Sequence, residues 1–222
     1  MPATPERERN PARSRAAILD AAEKLFAEKG YDVTSLSEVG AAAGVSRGTP
    51  GYFFGSKQEL YDAVLERCYE EVRQAVRAGR ARALASQQPP EAILAGAVSD
   101  YFDFLAARPN FIRLIERRAL SGGGNPVGEH LSAGQEALAA ISAELGLDDA
   151  PSGDAAQLLL SIIALCWFPL IHARTVAPAV GVDLQTVDDL ERRKRHVVDL
   201  VRHGLRGLAT HTPTLTTAPA HD

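Results

Sequence analysis

Apolar positions recur every three or four residues along most of this chain, as they do in helices that bury one face. No segment shows the strict alternation of apolar and polar residues expected of a half-buried strand. The pattern therefore predicts an all-α fold. The first helix is expected from about 14 to 28, with Gly30 as its C-terminal stop. Its apolar face consists of Ile18, Leu19, Ala22, Leu25 and Phe26.

Two short helices joined by a tight turn are predicted next. Ser35 and Glu38 have the spacing of a capping box, in which each side chain satisfies the backbone N–H of the other residue. Gly44 is expected to end this helix and Val45 to be a buried pivot, after which Ser46 opens the third helix. A helix, a glycine-containing turn and a short second helix form the unit that places a recognition helix in the major groove of DNA.

The sequence of the third helix suits contact with DNA. Residues 46–54 read S-R-G-T-P-G-Y-F-F. Arg47, Thr49 and Tyr52 can reach bases or phosphates, and the glycines between them leave room for the backbone to approach DNA. The two phenylalanines at the end are expected to anchor the helix from behind.

The rest of the chain is predicted to form a larger helical domain. A fourth helix is expected from about 56 to 85, and breaks rich in glycine and proline separate the helices that follow. We predict a three-helix helix-turn-helix domain over 14–58 and a second helical domain over 59–209. A disordered basic arm (1–13) precedes them and a disordered tail (210–222) follows. The later helices are expected near 91–106, 110–120, 127–146, 153–176 and 186–209.

Composition and charge limit the classes of protein that fit. The 222 residues are 45% hydrophobic and 23% charged, which is typical of a soluble globular protein, and the net charge is −4. A DNA-binding protein with an acidic body must confine its basic residues to one small surface. The first fifteen residues are arginine-rich. They contain no apolar segment typical of a secretory signal, so a cytoplasmic location is expected.

One apolar run and two cysteines are assigned to packing. The run from Ala155 to Ile171 is at the short edge of membrane-spanning length. It contains Pro169 and follows an acidic residue, so a buried core or dimer-interface helix is the better interpretation. Cys68 and Cys166 lie among apolar residues at helical spacing and are expected to be buried thiols.

Residues 34–60 resemble the DNA-binding signature of the TetR family of bacterial repressors. They read T-S-L-S-E-V-G-A-A-A-G-V-S-R-G-T-P-G-Y-F-F-G-S-K-Q-E-L, and the first helix ends in the similar L-F-A-E-K-G-Y. The resemblance implies nine or ten helices, a homodimer, a palindromic or pseudopalindromic operator and an inducer pocket in the larger domain. It also implies that Lys57, which opposes the dipole of its own helix, contacts a phosphate. The DNA-binding residues are then expected to be Ser35, Ser46, Arg47, Gly48, Thr49, Gly51, Tyr52 and Lys57.

The sequence departs from the family pattern at two positions of the recognition helix. Pro50 and Gly51 stand where many members have a leucine and then a tyrosine. If Ser46 is the N-cap, the proline costs a backbone hydrogen bond. Alternatively Thr49 caps a shorter helix and the proline takes its first position, where proline is favoured. Either way the helix is short, and Tyr52 is the natural substitute for the missing tyrosine.

The resemblance places an inducer cavity among the helices of residues 57–176. Trp167 and His172 are the strongest candidates, because each carries a polar group that needs a partner when buried. Pro169 is expected to kink the helix beside them. An aromatic, largely apolar cavity suits a small lipophilic organic ligand. The candidate lining residues are Tyr101, Phe102, Leu105, Phe111, Ile115, Trp167, Phe168 and His172.

Dimerisation is expected to use the helices at 153–176 and 186–209. The basic run at 191–195 is interpreted as a solvated helical face, partly paired with Asp188 and Asp189. The apolar interface residues on the last helix are expected to be Leu190, Val197, Val201, Leu205 and Leu208.

Two other classes of protein are alternatives to a DNA-binding regulator. An enzyme is not expected, because the glycine-rich stretch at 122–126 lacks the Gly-Lys-Ser/Thr and the preceding strand of a phosphate-binding loop. Catalytic motifs and metal-spaced clusters are also missing, so no cofactor or metal is expected. A helical binding protein that has lost operator binding is the other alternative, because Pro50 and Gly51 alter the recognition helix.

Overall fold

The computed structural model describes residues 11–120, 128–147 and 153–209. These residues form ten helices and no strand, so the all-α prediction is confirmed. The helices are α1 (Pro11–Lys29), α2 (Leu36–Ala42), α3 (Thr49–Phe54), α4 (Lys57–Ala85), α5 (Pro90–Ala107), α6 (Pro109–Leu120), α7 (Gly128–Leu145), α8 (Asp154–Ile171), α9 (Val176–Ala179) and α10 (Val187–Ala209).

Helix α1 begins earlier than predicted. Its first residue is Pro11, and proline is favoured there because the first N–H groups of a helix have no intrahelical partner. Residues 11–13 of the predicted basic arm are therefore helical, which corrects that boundary. Residues 1–10 of the arm, the glycine-rich stretch at 122–126 and the predicted tail at 210–222 lie outside the described residues.

The prediction of one helix over 153–176 was wrong, because α8 ends at Ile171 and the short α9 follows separately. Pro169 weakens the last turn of α8, since it has no N–H to donate to the carbonyl of Leu165 four residues earlier. That carbonyl instead accepts a hydrogen bond of 3.2 Å from the guanidinium of Arg193 on α10. A neighbouring helix thus compensates for the interruption.

The chain divides into two compact units. One comprises residues 1–75 and 104–137, and the other comprises 76–103 and 138–222. Helix α1 packs against α2, α3 and α6 in the first unit, and α8 packs against α10 in the second. The fully buried core side chains include Ile18, Phe26, Val39, Leu60 and Leu65 in the first unit and Val98, Phe102 and Val197 in the second.

Helix α8 buries few of its residues completely within the chain, and three of its apolar residues are exposed. Its 18 residues have a mean hydropathy of 1.8, so by length and composition alone the helix could cross a membrane. A core helix of a soluble protein meets the same criterion when it is mostly buried, but only 17% of this helix is buried within the chain. The exposed face carries Gln157, Leu160, Ser161, Ala164 and Phe168.

Both cysteines are free and buried, as predicted. Burial raises the pKa of the Cys68 thiol and of the Cys166 thiol to about 12. Both groups are therefore protonated near neutral pH and act as small apolar side chains of the core.

Candidate nucleic-acid interface

The capping box predicted at the start of α2 is present. Ser35 is the N-cap residue, and its hydroxyl accepts a hydrogen bond of 3.2 Å from the backbone N–H of Glu38. The pKa of the Glu38 carboxyl is lowered, first by a hydrogen bond from Lys29 and to a smaller extent by the backbone N–H of Ser35. Lys29 is the last residue of α1, so the same carboxylate fixes the start of α2 and joins it to α1.

The turn between α2 and α3 closes with glycine, as predicted. Gly44 has φ of +68°, a left-handed conformation that glycine adopts without a steric penalty. Its N–H donates to the carbonyl of Ala41 at 3.2 Å, and the N–H of Val45 donates to that of Gly40 at 3.0 Å. These two bonds form a Schellman motif. The prediction of a buried pivot was wrong in degree, because Val45 is only half-buried.

Close packing fixes α2 against the segment that leads into α3. A Cβ atom at Gly40 would lie 3.0 Å from the carbonyl oxygen of Ser46 and 3.3 Å from Cδ of Pro50. Any larger residue at this position would therefore push the recognition helix away from α2.

The recognition helix α3 is short, and it begins in neither of the two ways considered from the sequence. Gly48 is the N-cap and makes no side-chain capping bond, while Thr49 is the first helical residue and Pro50 the second. Proline costs little in this first turn, where backbone N–H groups have no intrahelical acceptor. The Ser46 hydroxyl forms a hydrogen bond of 2.6 Å with that of Thr49, so both are oriented by each other.

The structure presents an exposed polar edge at α3. Ser46, Arg47 and Gly48 are exposed, and Tyr52 is 86% exposed, which is unusual for a tyrosine unless it serves contact with a partner. Gly51 has space beside it, because a Cβ there would lie 4.0 Å from the nearest side-chain atom.

The anchors of α3 differ from those predicted. Phe54 is buried as expected, but Phe53 is half-buried, and Pro50 is the second buried anchor. The guanidinium of Arg15 lies 4.9 Å from the Phe54 ring centre. This cation–π contact, absent from the sequence prediction, holds a basic residue of α1 beside the end of α3.

A second capping box, missed in the sequence, starts α4. The Ser56 N–H donates to the Glu59 carboxylate at 2.7 Å, and the Glu59 N–H donates to the Ser56 hydroxyl at 3.1 Å. Hydrogen bonds that the Glu59 carboxylate accepts from Ser56, first from its hydroxyl and then from its backbone N–H, lower the pKa of the Glu59 carboxyl. The spacing S-K-Q-E at 56–59 carries the same signal as the box at Ser35, so it could have been found.

Lys57 already has acceptors within the protein. Its ammonium group donates to the carbonyls of Tyr31 at 2.9 Å and Asp32 at 3.2 Å, and lies 4.4 Å from the Tyr31 ring centre. These contacts explain a lysine in the first turn of a helix without a phosphate. The predicted phosphate contact stays a prediction.

The residues predicted to line an inducer cavity do not all fall in one compact unit. Leu105, Phe111 and Ile115 belong to the first unit, where Phe111 packs edge-on against Tyr69 at 5.7 Å. The remaining candidates, Tyr101, Phe102, Trp167, Phe168 and His172, belong to the second.

Within the second unit, two of the candidate pairs touch. The indole N–H of Trp167 donates to the Tyr101 hydroxyl at 2.5 Å, which supplies the polar partner expected for this tryptophan. Phe168 lies 4.5 Å from the His172 ring, and His172 forms a hydrogen bond of 3.2 Å with Thr175. Phe168 is 54% exposed and Phe102 is fully buried, so the two do not line a common surface.

The predicted interface on α10 needs correction. Val197 and Val201 are buried in the core of their own chain and cannot present a surface to a second copy. Leu190 is half-buried, and the side chains of Leu205 and Leu208 lie outside the described set. A hydrophobic stripe on a helix shows which face is covered but does not show whether the cover comes from the same chain.

The basic run on α10 is only partly a solvated face. Arg192 is exposed and pairs with Asp189 at 3.1 Å, as expected. Lys194, however, is half-buried and pairs with Asp103 at 2.9 Å, and Arg193 contacts the carbonyl of Leu165. These two cations therefore join α10 to α5 and α8.

Helices α2 and α3 and the turn between them form a helix-turn-helix, and an exposed basic and aromatic edge lies at α3. This arrangement is typical of a DNA-binding protein. Among the described residues, no group of three His, Cys, Asp or Glu side chains is arranged to hold a metal ion. The family model "Bacterial regulatory proteins, tetR family" matches residues 18–64, and "Tetracyclin repressor-like, C-terminal domain" matches residues 150–201. The chain therefore carries the N-terminal and the C-terminal domain of TetR-family proteins, and its relatives are transcriptional regulators, not enzymes.

Individual relatives agree with this assignment. The chain is 27% identical over 207 residues to the HTH-type transcriptional repressor NicS of Pseudomonas putida, covering 87% of this chain and 93% of that protein. It is 35% identical over 101 residues to the HTH-type transcriptional activator FasR of Mycolicibacterium smegmatis, covering 46% of this chain and 44% of that protein. A crystal structure of a transcriptional regulator from Streptomyces coelicolor superposes with a TM-score of 0.65 at 25% identity, covering 86% of this chain and 97% of that one.

Proposed function

We propose that this protein is a cytoplasmic repressor that binds a palindromic operator as a homodimer and is released by a small lipophilic organic effector. The observation that carries the proposal is the exposed edge at α3, formed by Arg47 in the turn before the helix and Tyr52 on the helix, which buried Pro50 and Phe54 anchor. NicS, which matches 87% of this chain, is a repressor, and this favours repression over activation.

In this proposal Arg47 reads a base and the other residues of the edge position the protein. Arginine can donate two hydrogen bonds to the major-groove edge of guanine. Ser35, Ser46, Thr49 and Tyr52 would contact phosphates or neighbouring bases, with Gly48 and Gly51 allowing close approach. Because α3 has only six residues, each half-site should be short.

The dimer interface is proposed on the exposed face of α8, next to α10. Leu160 is 62% exposed and Phe168 is 54% exposed, and Ala164 lies between them on the same face. Leu200 on α10 is 44% exposed. Large apolar side chains exposed on one helix face are typical of an interface with another protein chain. A two-fold symmetric dimer would present two recognition helices related by the same symmetry, so the operator is expected to be palindromic.

The effector site is proposed beside Trp167 and Tyr101. Their hydrogen bond places two aromatic rings and a hydroxyl together on α5 and α8. Because α8 also carries the proposed dimer face, a ligand at Trp167 could change the spacing of the two recognition helices. Such a ligand shifts DNA binding only by its difference in affinity for the two states.

The operator is tested by selecting bound fragments from a random DNA library. We expect a consensus with two inverted half-sites about 34–36 Å apart, or a multiple of that spacing, bound by two chains in a salt-sensitive complex. Failure to enrich any sequence would instead support a helical protein that has lost operator binding.

The effector is tested with the fluorescence of Trp167, which is the only tryptophan of the chain. Compounds that release the protein from the selected DNA are titrated into the protein with and without saturating operator. Reciprocal coupling requires the operator to weaken effector binding by the same factor as the effector weakens DNA binding. An effector affinity that is unchanged by operator contradicts the release mechanism.

A further inference from the structure

A cavity in the first compact unit belongs to none of the sites described above. Its volume is about 470 Å³, and it lies between the end of α1, the start of α4 and the end of α6. Small-molecule pockets usually measure about 300–1,000 Å³. The cavity does not include Trp167, the proposed dimer face or any residue of α3.

One wall of the cavity is aromatic and held in place. Tyr61 contacts Phe26 and Tyr31 edge-on, each at a centroid distance of 5.1 Å, and Phe26 stacks on Tyr31 at 6.0 Å. Lys57 lies over the Tyr31 ring and donates to its carbonyl, so this tyrosine is fixed from two sides. Preformed aromatic walls of this kind bind flat rings by stacked and edge-to-face contacts.

The opposite wall is cationic. Arg117 donates to the carbonyls of Ala27 at 3.0 Å and Glu28 at 2.9 Å, which holds its positive charge at the end of α1. Arg118 also lines the cavity, and its charge opposes the rise in the pKa of Tyr61 that burial causes. Arg118 is half-buried, and Asp32 is the only acidic residue among the described residues that line the cavity.

The mouth of the cavity is apolar and exposed. Leu120 is 84% exposed and Val33 is 68% exposed, and both line the cavity. A ligand with an apolar body would cover these side chains and remove their surface from water.

We propose that this cavity binds a small aromatic anion, with its ring against Tyr31 and the accessible edge of Tyr61 and its acidic group at Arg118. Guanidinium groups bind carboxylates and sulfonates through charge-assisted hydrogen bonds, which are the strongest that a protein side chain makes. The site lies next to the turn from 30 to 34 that leads into α2. A bound anion is therefore a second ligand, distinct from the effector proposed at Trp167.

The test compares two fluorescent probes that share a ring system, 8-anilinonaphthalene-1-sulfonate and the uncharged N-phenyl-1-naphthylamine. Replacing Arg118→Glu should weaken binding of the sulfonate about tenfold or more, because a charged hydrogen bond is replaced by repulsion. Arg113→Glu is the matched control, since it makes the same charge change at an exposed position of α6. It should leave sulfonate binding unchanged, and neither variant should alter binding of the neutral probe.

Fluorine NMR of protein labelled with 3-fluorotyrosine locates the sulfonate. We expect the Tyr31 and Tyr61 resonances to shift on binding, while Tyr101 in the second unit does not. Arg118→Gln serves as a second variant if the glutamate substitution lowers the melting temperature. Equal sulfonate affinity of the Arg118 and Arg113 variants, or a shift confined to Tyr101, would overturn the proposal.

Discussion

The helix-turn-helix region and the α8 region differ in what they leave exposed. In α1–α3 the core apolar side chains are buried within the chain, Ser35 caps the start of α2, and the exposed edge near α3 carries Ser46, Arg47 and Tyr52. In α8 only 17% of the residues are fully buried, and Leu160 and Phe168 are exposed. The first region offers hydrogen-bond donors at its surface, whereas the second offers exposed apolar side chains. This difference is why we assign DNA to one and a second copy to the other.

The largest expected effect is loss of the dimer when a charge enters the α8 face. In Leu160→Glu a carboxylate would have to be buried without a partner, at a cost of several kcal/mol. Light scattering at micromolar concentration should give about twice 23.7 kDa for the unsubstituted protein and 23.7 kDa for the variant.

The matched control for this substitution is Val180→Glu. Val180 is 71% exposed but lies outside α8 and α10, so its replacement should leave the dimer intact. A mass of 23.7 kDa for the unsubstituted protein, or dissociation by both substitutions, would remove the basis of the comparison.

A second prediction concerns the polar edge of α3. Arg47→Ala should lower affinity for the operator by about 1–3 kcal/mol and relax preference at one base position, whereas random DNA should be affected much less. Lys57→Ala should weaken all DNA alike and reduce the salt slope by about one. Fluorescence anisotropy at several salt concentrations measures both. Equal losses on operator and random DNA in both variants would show that Arg47 does not read a base.

A third prediction tests how the interrupted end of α8 is stabilised. Arg193→Ala should destabilise the protein by about 1 kcal/mol, because it leaves the carbonyl of Leu165 without its hydrogen bond. In a Pro169→Ala background the new N–H can bond that carbonyl, so the same substitution should cost less. Urea unfolding of the four proteins of this double-mutant cycle gives the coupling energy.

Arg192→Ala is the control for that cycle. Arg192 is next in sequence and pairs with Asp189 at an exposed position, where ion pairs contribute little. If Arg193→Ala and Arg192→Ala had the same effect in both backgrounds, the hydrogen bond to Leu165 would not be the cause.

Local signals predicted the DNA-binding region well. The box at Ser35 and the left-handed Gly44 depend on residues a few positions apart, so the sequence contains all the information that forms them. The first residue of α3 was harder to predict from the sequence. More than one capping arrangement is possible for Gly48, Thr49 and Pro50. In the observed arrangement, with Gly48 as the N-cap, Pro50 packs close to Gly40.

Long-range contacts account for what the sequence did not predict. The apolar stripe of α10 was identified, but its periodicity could not tell that Val197 and Val201 face their own core. The partners of Arg193 and Lys57 lie 28 and 25 to 26 residues away, beyond the reach of any local pattern. The candidate effector residues were chosen mainly because they are aromatic or apolar. Residue type does not determine to which compact unit a side chain belongs.

The smallest expected effect concerns the capping box of α4. The pKa of Glu59 is lowered by its hydrogen bonds with Ser56, so the folded state favours the charged carboxylate. Its stabilising contribution is therefore present above the ordinary glutamate pKa of about 4.3 and is lost as the pH falls through the lower pKa of the folded protein. Glu59→Gln removes the charge but keeps the shape, so this variant should be less stable than the unsubstituted protein at neutral pH, and the difference should shrink in acid.

Urea unfolding between about pH 7 and pH 3 measures this difference in stability, with Glu66→Gln at an exposed position of α4 as the control. A difference that does not change with pH would mean that the carboxylate charge plays no part in holding this helix start.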